Sequence, residues 1–157
     1  NLNYNVQDEL AGAPTINDAQ DIEAITTVVH CASDTLIRTP DVSTVYYCGR
    51  DGGRYAFQNE GTFFSWYEDF DDVQFITSDE MSEIPLRGAV TYRPGVYMVK
   101  LISVPKVYAV GHNGTLHWIQ TPAMAEVLYG EDWSSLVRDI PDTFIGGYEY
   151  GEDVSLL

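Results

Sequence analysis

Two stretches of the chain share one pattern: Val45 to Phe57 reads VYYCGRDGGRYAF, and Val107 to Ile119 reads VYAVGHNGTLHWI. They lie sixty-two positions apart, and an internal repeat of that period constrains the fold more than any bulk property does. Leu36-Ile37-Arg38 falls on Met98-Val99-Lys100, Val45-Tyr46 on Val107-Tyr108, and Gly49 on Gly111. Asp51-Gly52 falls on Asn113-Gly114. Both dipeptides predict a type I′ hairpin turn, because Gly, Asn and Asp tolerate the left-handed backbone such a turn needs. Beyond each hairpin, Asn59-Glu60 and Thr121-Pro122 predict helix starts, since Asn and Thr cap exposed N–H groups and Pro suits the first helical position. The helices are expected over GTFFSWYEDF and AMAEVLYGEDW, closed by Phe70 and Trp133. VQFITSDEM then aligns with VRDIPDTF after a slip of one residue and reads as strand or turn.

The pattern predicts an α+β, mainly β fold. Two pseudo-symmetric β-hairpin–short-helix units, about residues 33–88 and 95–154, are expected to share one core inside a single domain spanning 25–157. Residues 89–100 connect the units without a Ser/Gly-rich linker. Ahead of them, residues 1–24 form an extended N-terminal arm with a natural break at Ala-Gly-Ala-Pro. Within the arm Leu2, Tyr4 and Val6 alternate with Asn3 and Asn5, which is strand periodicity. Residues 25–31, ITTVVHC, are β-branched and favour a strand.

With 24 acidic and 8 basic residues, the chain carries a formal charge of −16. That field repels nucleic acid and anionic lipid, so neither is an expected partner. No apolar run approaches the roughly 18 residues a membrane span needs. The start at Asn1, without a basic or apolar leader, reads as a mature form or an excised fragment. Cys31 and Cys48 are the only cysteines, too far apart for a CxxC redox motif. They read as a structural disulfide, with two separate buried thiols as the alternative. A disulfide implies an oxidising, extracytoplasmic location.

VYYCGRDGGRYAFQNEGTFFSWYEDF, IPLRGAVTYRPGVYMVK, PKVYAVGHNGTLHWI, LYGEDW and DIPDTF together cover about residues 36–154. This combination resembles a tandem β-rich module of secreted or surface proteins of Patescibacteria, the Candidate Phyla Radiation of uncultured bacteria. The resemblance implies an exported module with no assigned catalytic residues. Gln58 departs from it where proline is usual, and Cys48 where an aromatic or aliphatic residue is commoner.

The chain holds no GxSxG elbow, Walker loop, HExxH or GxGxxG. His30, His112 and His117 read as turn and strand-face histidines rather than metal ligands. The run Glu68-Asp69-Phe70-Asp71-Asp72 gathers hard oxygen donors and is a candidate cation cluster, with Ca²⁺ the fitting ion. It lacks the alternating spacing and central glycine of a calcium loop, and a solvated helix end is the plainer reading. Asn113-Gly114-Thr115 matches a glycosylation pattern, but the hairpin turn already accounts for it. Tyr46, Tyr55, Trp66, Tyr108 and Trp118 lie on or near the hairpins and are candidates for a sugar-stacking platform, core packing being the plainer role.

These residues predict a non-enzymatic, self-associating extracellular protein, a subunit of a filament or surface array. The assembly contact would be Leu2, Tyr4 and Val6 of the arm entering a neighbouring subunit. The alternative is an adhesin or a module that binds cell-wall polysaccharide through exposed aromatics.

Overall fold

The computed structural model describes residues 31–156. They divide into two compact units, one ending at Val90 and the other beginning at Thr91.

In the first unit, β1 (Leu36–Arg38), β2 (Tyr46–Cys48) and β3 (Arg54–Phe57) form an antiparallel meander. After α1 (Glu60–Phe64), β4 (Val73–Phe75) returns parallel to β1. After α2 (Ser78–Ser82), β5 (Leu86–Val90) returns parallel to β3, giving the order β4-β1-β2-β3-β5. Parallel neighbours need a crossover, and the two short helices supply it.

The second unit follows the same path. Its meander is β6 (Met98–Leu101), β7 (Val107–Val110) and β8 (Thr115–Ile119). After α3 (Pro122–Tyr129), β9 (Val137–Ile140) lies parallel to β6, and β10 (Glu149–Tyr150) lies parallel to β8. The order β9-β6-β7-β8-β10 is that of the first sheet, strand for strand. Register repeats as well: Leu36 pairs with Tyr47 as Met98 pairs with Ala109, and Tyr46 with Ala56 as Tyr108 with Trp118. The α+β, mainly β architecture of two similar units is therefore the structure of the chain.

Both faces of each sheet are covered. Leu36 and Ile37 are consecutive, so they point to opposite faces, yet both are buried. Leu36 joins Tyr47, Phe57 and Phe63 on the α1 face, whereas Ile37 joins Met81 and Ile84 on the α2 face. Met98 and Val99 divide in the same way. Met98 packs with Ile119 and Ala125, and Val99 with Tyr108, Ile140 and the half-buried Phe144. Among the described residues each buried apolar cluster draws on residues of one unit.

Several expectations need correction. The slip between the copies is two residues at β4 and β9, not one, since Leu36 pairs with Val73 but Met98 with Val137. The second helix is the longer, 8 residues against 5. Both helices are shorter than predicted. The segment VQFITSDEM is a strand followed by a helix: Thr77 and Glu80 close a reciprocal capping box over the first turn of α2. Only the second hairpin has the predicted turn, with Asn113 at φ 57° and Gly114 at φ 68°. In the first, Gly52 at φ 77° is left-handed but Asp51 is not, because the Asp51 carboxylate turns inward and accepts from the Gly53 N–H at 3.0 Å. Cys31 and Cys48 form the expected disulfide, with Cα atoms 5.4 Å apart. Leu2, Tyr4, Val6, His30, the arm and most of the predicted strand over 25–31 lie outside the described residues.

Candidate functional site

The repeat places a groove at the same point in both units, where the strand pair meets the start of the following helix. In the first unit Thr44, Val45, Phe57, Asn59 and Phe63 line a hollow of about 480 Å³. In the second, Lys106, Val107, Ile119, Thr121 and Ala125, each sixty-two positions on, line one of about 460 Å³. Both fall within the roughly 300–1,000 Å³ of small-molecule sites. The helix caps set the rim. Asn59 accepts from the Thr62 N–H and hydroxyl, both at 2.7 Å, and Thr121 accepts from the Met124 N–H at 3.2 Å.

The linings have diverged. Where the first unit carries Phe57 and Phe63, the second carries the smaller, non-aromatic Ile119 and Ala125. Trp118 and Trp133, both half-buried, wall the second groove. The Lys106 ammonium lies 4.3 Å from the Trp118 ring centroid, an attraction between a cation and the negative face of the ring. Among the described residues Lys106 has no ion pair. Gln120 is oriented by its bond to Asp153 at 2.9 Å. The first groove is more polar at its rim, with Ser43, Gln58 and Glu60, and Phe70 closes one end.

The five aromatic residues proposed as a sugar platform are not gathered. Tyr55 and Tyr108 are buried, and Trp66 packs against the first unit's core. Tyr46 lies under Arg54, 4.5 Å away, beside a hollow of about 270 Å³. Trp118 alone of the five lines one of the two equivalent grooves. The signals that sequence reading passed over were Lys106, one of only two lysines, and Trp133, assigned merely to closing a helix.

A second repeated feature is a slot for a ring between two glycines. The Tyr55 ring lies so close to Gly49 that a Cβ there would meet it at 2.7 Å, and it also bounds Gly88. His117 occupies the equivalent slot between Gly111 and Gly151. Its Nδ1 bonds to the Glu152 carbonyl at 2.7 Å, and by its slot His117 is the second unit's counterpart of Tyr55. The Tyr55 hydroxyl donates to Asp51 at 2.6 Å, and the Asp51 side chain is 2% exposed with Arg87 at 3.7 Å. Burial first, and then this bond, push Tyr55 up to about 12.

Glu68, Asp69, Asp71 and Asp72 are all exposed, and Asp69 accepts from the Asp71 N–H at 2.9 Å, a local turn contact. Among the described residues no group of three His, Cys, Asp or Glu side chains is gathered to hold a metal ion, and no helix is long and apolar enough to cross a membrane. No protein-family model, curated protein or solved structure matches the chain.

Proposed function

We propose that the chain is a non-catalytic, exported binding module whose second groove takes a neutral polysaccharide. The observation that carries this reading is the groove's recurrence at one position in both units, with two tryptophans and orientable polar groups in the second copy. Sugar rings offer C–H faces to indoles and hydroxyls to groups such as Gln120, Thr121 and Lys106. The −16 charge favours a neutral glycan over an anionic one. The disulfide and the resemblance to surface modules of Patescibacteria support export. A panel of neutral cell-wall polysaccharides tests the reading: binding should occur and fall at least tenfold in Trp118→Ala with folding retained. An inert panel, or binding indifferent to Trp118, would sink it.

Self-association into a filament or array is the second reading, and one observation favours it. β5 pairs with β3 alone among the described residues, and its outer positions include Leu86 at 57% exposure. An open edge of this kind accepts an extra strand, and the alternating Leu2, Tyr4 and Val6 of a neighbour would supply it. Deleting residues 1–24 should then abolish polymers seen by electron microscopy. Polymers that survive the deletion would remove the arm from the mechanism.

A further inference from the structure

The first unit carries an aromatic surface that the polysaccharide reading does not use. Phe63, Phe64 and Phe70 pack on one another with centroids 4.5 to 5.4 Å apart. Phe63 is buried, whereas Phe64 and Phe70 are 44% and 43% exposed. Phe63 and Phe70 reach the first groove, and Arg38, also on that groove, stacks on Phe75, itself 61% exposed. Large apolar groups clustered at a groove mouth mark an interaction surface.

Charge identifies the occupant. From residue 31 to Val90 the chain has eleven Asp and Glu against four Arg and no Lys. Glu60 stands on the groove rim, and Glu68, Asp69, Asp71 and Asp72 bracket Phe70 in the chain. None of these five carboxylates has a salt bridge among the described residues. Two of the four arginines are engaged away from the groove, Arg54 with Tyr46 and the Ile84 carbonyl and Arg87 with Asp51, while Arg38 lies on Phe75 and donates to the Thr39 carbonyl. The Arg38–Phe75 stack, 5.1 Å from guanidinium to centroid, shows a cationic side chain held on this surface's own aromatic face.

We infer that the groove and the Phe64–Phe70 surface of the first unit dock a basic, amphipathic polypeptide segment. Its apolar side chains would cover Phe64 and Phe70, and its Arg or Lys side chains would lie over the rings and against the surrounding carboxylates. The acidic field speeds encounter, while the rings supply contact area that no simple counter-ion fills.

The probe is a synthetic peptide alternating arginine and leucine, with a glycine–arginine peptide of equal charge as control, titrated into the intact chain. The alternating peptide should bind at least tenfold more tightly than the control. Phe70→Ala should lower its affinity at least tenfold, and Trp118→Ala in the other unit should leave it unchanged. The double variant Asp71→Asn/Asp72→Asn alters exposed side chains only; it should weaken binding and flatten its salt dependence. Equal affinity for both peptides, or indifference to both the Phe70 and the Asp71/Asp72 changes, would reduce the interaction to diffuse charge and overturn the inference.

Discussion

Asp51 shows what one carboxylate does when a hairpin turns it inward. It satisfies the Gly53 N–H, accepts a hydrogen bond from the Tyr55 hydroxyl at 2.6 Å, and faces Arg87. The consequence is measurable in alkali. Unfolded, Tyr55 titrates near 10.0, and in the fold it stays neutral to about 12. Between those values the unfolded chain releases a proton that the folded chain retains, so the stability contribution is intact below about pH 10 and is lost as pH rises toward 12. Tyr67 is pushed up to about 12 chiefly by burial and adds to the same loss, as does Tyr47 through burial and its bond to Asp34. Denaturant unfolding should show stability falling across this window. Tyr55→Phe should reduce the alkaline loss, while at pH 7 it costs about 1–2 kcal/mol because a buried acceptor loses its donor. An unchanged alkaline slope in that variant would remove Tyr55 from the account.

Local signals decided which elements were legible. The caps Asn59 and Thr121, Pro122 at the start of α3, the strands of the two hairpins and the Cys31–Cys48 disulfide rest on residue types and short spacings, and each stands where the sequence put it. The parallel strands β4, β5, β9 and β10 were not legible as such, because their partners are distant and no hairpin turn announces them. α2 was readable and was missed: Thr77 and Glu80 have the capping-box spacing, but the alternation of apolar Val73 and Phe75 with polar Gln74 ahead of them favours strand for the whole segment. Thr77→Ala should cost about 1 kcal/mol by loss of that cap, read from the denaturation midpoint. No change at all would mean the turn is held by Met81 and Ile84 packing alone.

For the whole molecule, the two units share the path of the chain but not the linings of their grooves. Sheet order and meander register coincide in the two units, yet the groove positions Phe57 and Phe63 correspond to Ile119 and Ala125, and Ala56 to Trp118. The periodicity was visible in the sequence, but the groove was not, since it arises where residues near 44, 57 and 63 meet in space. Two equivalent grooves with unlike walls are expected to take unlike ligands. Amide chemical-shift mapping on the isotopically labelled chain tests this most directly, with a neutral oligosaccharide and the arginine–leucine peptide added separately. The saccharide should shift resonances around Lys106, Trp118, Gln120 and Trp133, and the peptide those around Glu60, Phe64 and Phe70. Saccharide shifts that are absent, or scattered over the surface without clustering at the second groove, would contradict the account.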